Sequence, residues 1–115
     1  MERYDFWIRC GESLQQTIRF RNEDGSAVDL SGRRGHCQVR KTPRDRNLLL
    51  SADVRIIPEE GYVSLWIPAS ATAGLEPGVY AYDFCLETEG SGEVRYYIGG
   101  RFNLLPSVTK LSEGE

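Results

Sequence analysis

Val79-Tyr80-Ala81-Tyr82-Asp83-Phe84-Cys85-Leu86-Glu87 is the stretch on which the fold turns. Tyr80, Tyr82, Phe84 and Leu86 recur at every second position. Successive side chains of a strand leave opposite sides of its sheet, so this spacing predicts a strand with one aromatic, core-facing row. Leu75-Glu76-Pro77-Gly78 precedes it, and Pro-Gly is a turn signal.

The same period runs outward in both directions. In 94–104, Val94, Tyr96, Ile98, Phe102 and Leu104 share a face; in 62–67, Val63, Leu65 and Ile67 do; in 13–21, Leu14, Gln16, Ile18 and Phe20 do. Three weaker strands are predicted at 4–9 (Tyr4, Phe6 and Ile8 on one side), 36–41 (Cys37 and Val39 inward) and 47–51. Turn signals separate them, among them Glu23-Asp24-Gly25, Ser31-Gly32, Thr42-Pro43 and Glu59-Glu60-Gly61. Pro68-Ala69-Ser70-Ala71-Thr72-Ala73-Gly74-Leu75 allows one short helical turn near 69–75, with glycine to end it. Gly99-Gly100, inside the last strand, marks a bulge or a close backbone approach. About seven strands with frequent turns predict an all-β antiparallel sandwich or barrel. Tyr80, just after Pro77-Gly78 at the entry to a core strand, fits the corner tyrosine of immunoglobulin-like sandwiches, whose hydroxyl bonds back to upstream backbone.

The 115 residues suit one domain, 1–110, followed by a polar tail, 111–115. Hydrophobic residues make up 40% and charged residues 27%, which is neither a disordered nor a membrane-spanning composition. The charged N-terminus, Met1-Glu2-Arg3-Tyr4-Asp5, lacks the apolar stretch of a secretory leader, so none is expected. A net charge of −3 disfavours nucleic-acid binding, and the basic cluster Arg40, Lys41, Arg44 and Arg46 reads as a solvated loop. Three cysteines, Cys10, Cys37 and Cys85, close no disulfide framework and read as reduced thiols in a reducing cytoplasm.

No nucleophile motif and no phosphate-cradling loop is present. The one histidine, His36, falls on the outward side of its strand, and carboxylates gather in turns. The expectation is a protein that is not an enzyme, with no catalytic, cofactor or metal residues. Asp83 interrupts an apolar strand and is expected to pair with an outward arginine such as Arg95 or Arg101. Trp7, Tyr62, Trp66 and Tyr97 fall opposite the apolar rows. They are candidates for an outer aromatic interface, since large aromatics bury much area at little entropic cost. Scattered surface aromatics or cross-strand pairs would give the same parity.

The ordered series Gly11-Glu12-Ser13-Leu14, Asp24-Gly25-Ser26-Ala27-Val28-Asp29-Leu30-Ser31-Gly32, Gln38-Val39-Arg40, Gly61-Tyr62-Val63-Ser64-Leu65-Trp66-Ile67-Pro68 with Ala71-Thr72-Ala73, Leu75-Glu76-Pro77-Gly78-Val79-Tyr80-Ala81-Tyr82-Asp83, Gly100-Arg101-Phe102-Asn103-Leu104 and Pro106-Ser107-Val108-Thr109 resembles small structural proteins of tailed bacteriophages and prophages. The likeness spans about residues 4–110. It departs from the pattern at the three cysteines and at Arg33-Arg34-Gly35. The resemblance implies an Ig-like β-sandwich that accompanies tail, baseplate, neck or fibre components. It also implies a virion protein in multiple copies, assembled in the host cytoplasm and docked on other virion proteins or on copies of itself. It implies no catalytic residues, and no cofactor, nucleic-acid partner or membrane is expected. The alternative function is a carbohydrate- or host-surface-binding module that stacks sugars on Trp7, Tyr62 and Trp66.

Overall fold

The computed structural model describes residues 1–111. The tail expected at 111–115 therefore lies, after Leu111, outside the described residues. The fold is an all-β sandwich of immunoglobulin-like topology. Its strands are β1 (Glu2–Arg3), β2 (Phe6–Arg9), β3 (Leu14–Arg19), β4 (Arg33–Arg40), β5 (Leu50–Ser51), β6 (Asp53–Ile57), β7 (Tyr62–Ile67), β8 (Gly78–Thr88) and β9 (Val94–Leu105). A helical turn, α1 (Ala69–Ala73), bridges β7 and β8. The larger sheet runs β1-β9-β8-β4-β5, with β2 continuing β1 along β9; the smaller runs β3-β7-β6. Pairing is antiparallel throughout except for β1 and β2, which lie parallel to β9.

The period-two rows become the core. Val39, Phe84, Leu86, Phe102 and Leu104 of the larger sheet face Val63, Leu65 and Ile67 of the smaller, each at most 2% exposed. Leu30, at 1% exposure, enters from a loop. That loop explains the Asp24-to-Gly32 motif as turn chemistry. Asp24 Oδ1 accepts the Ser26 amide (2.9 Å) and hydroxyl (2.6 Å). Asp29 Oδ1 does the same for Ser31, at 2.9 and 2.6 Å. One such turn precedes the buried leucine and the other spans it.

One strand lies where none was expected. β6 carries Val54 and Ile56 inward, and Asp53, Arg55 and Ile57 outward. The bulge is also elsewhere than at Gly99-Gly100. Phe84 pairs with Ile98 but Cys85 with Tyr96, so Tyr97 is the extra residue. This corrects the parity of 94–97. Tyr96 turns outward, at 50% exposure, and Tyr97 turns in. The Tyr97 ring packs edge-on against Phe20, centroids 4.9 Å apart. Gly100 serves the close approach: a Cβ there would lie 2.5 Å from Asp5 Oδ1 and 2.9 Å from the Tyr4 carbonyl.

That gap seats the break between β1 and β2. The Tyr4 amide donates to Gly99 (3.0 Å), and the Asp5 carboxylate accepts the Arg101 amide (2.8 Å). The Tyr82 hydroxyl donates to the Tyr4 carbonyl, and its ring packs on Phe6 at 4.8 Å. The Arg101 amide and the Arg3 side chain hold the Asp5 carboxyl below its ordinary value of 3.8. A depressed folded pKa means that the latch is complete above the unfolded value and is lost as pH falls through the lower, folded one. The Arg101 amide resonance should therefore shift on acidification only below about pH 3.8. Asp5→Asn should abolish that titration; an unchanged titration in the variant would assign it to another carboxyl.

Candidate interaction surfaces

The smaller sheet turns a three-by-three grid of side chains to solvent. Strand register sets its rows: Gln15-Trp66-Asp53, Thr17-Ser64-Arg55 and Arg19-Tyr62-Ile57. Gln15 Nε2 donates to Ser64 Oγ (3.0 Å) and to Thr17 Oγ1 (3.3 Å). The Arg19 guanidinium lies 5.1 Å from the centre of the Tyr62 ring and covers one of its faces. Trp66 remains 42% exposed, with a polar side chain in register on each side.

The four candidate aromatics therefore do not form one patch. Tyr62 and Trp66 share the outer face of the smaller sheet. Trp7, at 66% exposure, belongs to β2 on the larger one, and Tyr97 is packed on the core. Sequence parity separates inside from outside within a strand, but it does not say which sheet a strand joins.

Each sheet also has open edges. Among the described residues β3 and β6 pair only with β7, so each leaves one row of backbone donors and acceptors without a partner strand. β6 places Asp53 and Arg55 beside its edge; β3 has only Arg19 in the corresponding row.

His36 projects from the outer face of the larger sheet, and its Nε2 lies 3.1 Å from Glu87 Oε1. Both side chains are about 40% exposed, at 43% and 40%, on an open surface. Cys85 is the residue opposite His36, but burial, with Asp83 and Glu87 adding negative charge, pushes its thiol up, away from the thiolate. Burial pushes the Cys37 thiol up to about 12. Cys10, Cys37 and Cys85 are all free thiols. Among the described residues no group of three metal-ligating side chains converges.

Asp83 does not pair as expected. Its register partners are Gln38 and Gly99, whereas Arg101 lies opposite Ala81 and Arg95 opposite Leu86. Burial raises its carboxyl pKa, partly offset by the charge of Arg40. Tyr80 sits at the α1–β8 corner, and its hydroxyl donates to the Glu76 carbonyl, one residue before Pro77-Gly78. Thr72, fully buried in α1, accepts the Gly11 amide (3.0 Å) and reaches the Glu12 carbonyl (2.9 Å), tying α1 to the β2–β3 corner. Nothing in the sequence pattern marked Thr72 beyond its place in an alanine-rich turn.

The outer face of the larger sheet carries a groove of about 430 Å³ near the start of β8. Val79 and Ala81 of β8 line it together with three cations, Arg3 of β1, Lys41 just after β4 and Arg101 of β9.

No protein-family profile matches the chain, and no curated protein does. Among solved structures it is similar to a family 123 glycoside hydrolase from Clostridium perfringens, described for glycolipid glycan hydrolysis, at 15% identity and a TM-score of 0.44. The match covers 96% of this chain and 24% of that one, so the chain spans about a quarter of its neighbour's length.

Proposed function

We infer that this chain is a non-catalytic structural domain of a tailed-phage or prophage particle, docked on tail, baseplate, neck or other virion proteins through protein–protein contacts. The observation that carries this reading is where the accessible groups lie. The exposed indoles, Trp7 and Trp66, and the open edges of β3 and β6 are on outer surfaces of the sandwich. The single imidazole meets one carboxylate on an open face rather than in a cleft. Surfaces of this kind bury area against neighbours, and in a symmetric particle many copies make the same contact. Assembly would take place in the host cytoplasm and leave the protein in the virion.

The test is the composition of purified particles. Mass spectrometry and cryo-EM should find the chain in fixed, multiple copies; particles that lack it would overturn the reading. Trp66→Ala should lower incorporation while leaving the fold intact, because truncating an exposed surface side chain costs little stability.

A second reading is favoured by one feature. Trp66 offers a partly open indole between Gln15 and Asp53, which suits stacking on a sugar ring with hydrogen bonds to its hydroxyls. Glycan-array binding that disappears in Trp66→Ala would favour a carbohydrate-binding module; an array without signal would remove it.

A further inference from the structure

The groove on the larger sheet differs in kind from the rest of the surface. Overall the chain carries 17 acidic and 14 basic residues, yet the side chains that line the groove include Arg3, Lys41 and Arg101 and no carboxylate. Of the carboxylates near it in the chain, Glu2 is exposed on β1, and Asp5, Asp45 and Asp83 have other groups beside them. Asp5 is held by Arg3 (3.3 Å) and by the Arg101 amide. Asp45 accepts the Asn47 amide at 2.9 Å. Asp83 lies beside Gly99 and is faced by Arg40. Among the described residues neither Lys41 nor the Arg101 guanidinium has an ion-pair partner. The β8 residues that line the groove with these cations, Val79 and Ala81, are small and apolar, with Val79 at 59% exposure. Lone cations beside apolar side chains match a segment with both carboxylates and small apolar side chains. A phosphate alone would leave the apolar side chains uncovered.

We propose that this groove binds an extended acidic peptide segment of a partner protein, carboxylates meeting Lys41 and Arg101 and apolar side chains resting on Val79 and Ala81. This deepens the docking function proposed above, and rests on it, by naming the chemistry of the partner's contacting segment. Gly99 is buried and seats the Met1 side chain beside the groove: a Cβ there would stand 3.0 Å from the Met1 Cε and 3.1 Å from the Asp83 Cβ.

The probe is a dye-labelled Glu-Val-Glu-Val-Glu peptide, titrated by fluorescence anisotropy into the full chain. Binding should weaken about tenfold in Lys41→Glu, further in Lys41→Glu/Arg101→Glu, and on raising salt, while Lys41→Arg retains it. A Gln-for-Glu peptide should bind about tenfold more weakly. Equal affinity for the two peptides, or an unaltered affinity in the double variant, would overturn the proposal. So would saturable binding of inorganic phosphate or an RNA oligomer with none of the peptide. Thermal melts of the variants check that the fold is kept. In particles, normal incorporation of the double variant would overturn the groove proposal and leave docking standing. Absence of the wild-type chain from particles would overturn the virion role alone, with the peptide titration still deciding the groove.

Discussion

Phe84→Ala should cost about 3–5 kcal/mol of folding stability, among the largest losses expected from a single side-chain truncation in this chain. Phe84 has no exposed surface and lies on β8, the strand central to the larger sheet. It stands across from Cys37 on one side and Ile98 on the other, with the Tyr97 ring at 6.3 Å. Packed neighbours close the space left by such a truncation only in part. Gly35 gives up its side chain to seat Val54, since a Cβ there would lie 2.4 Å from Val54 Cγ1 and 3.4 Å from the Phe84 ring. The lost transfer energy is therefore joined by a cavity term. A domain of this size has a total stability of only about 5–15 kcal/mol, so the variant approaches the unfolding threshold. Urea denaturation with an unchanged m-value measures the loss. A loss below about 1 kcal/mol would mean that the two sheets do not pack around this ring. Trp66→Ala, on the outer face, is the control and should cost less than about 1 kcal/mol.

Residues 79–87 show why so much of this fold can be read from the chain. A strand buried on one face must alternate, and β7 and β8 alternate strongly enough that their observed bounds, Tyr62–Ile67 and Gly78–Thr88, nearly match the pattern. What parity misses is anything that depends on a second strand. Tyr97 turns inward because β9 has one more residue than β8 across the bulge, and a period counted along one strand cannot register an insertion relative to its neighbour. Asp83 faces Gln38 and Gly99 rather than an arginine because register, not composition, chooses partners. The pairing of His36 with Glu87 arises in the same way. β6 is a different case. Val54 and Ile56 alternate with Asp53 and Arg55, so its signal was present but lay hidden between an apolar triplet and a proline turn. The interaction surfaces are legible only in part. Trp7 and Trp66 point outward as their parity predicts, but the groove joins β1, β8, β9 and the segment after β4, which only the folded chain brings together.

Gly61→Ala is expected to cost about 2–5 kcal/mol, although it adds a single methyl group. The sequence shows Glu59-Glu60-Gly61 as an ordinary turn. The folded chain makes Gly61 a buried junction at φ 60° and ψ 33°, closing the 3-10 turn Pro58–Glu60. Its carbonyl accepts the Phe20 amide (2.7 Å), which continues the β3–β7 ladder past its last named pair. A Cβ would lie 2.5 Å from the Phe20 carbonyl oxygen and 2.8 Å from that of Val28. Both obstacles are backbone, so no rotamer change can relieve them. The left-handed conformation adds about 1–2 kcal/mol, and displacing packed backbone adds about 1–3 more. Gly25→Ala separates the two contributions. Gly25 also has positive φ, 88°, but open space where its Cβ would stand, so it should show only the conformational cost. Urea melts of the two variants compare them directly. Equal losses would mean that the Phe20 and Val28 backbones give way freely and that this junction does not hold β3 to β7.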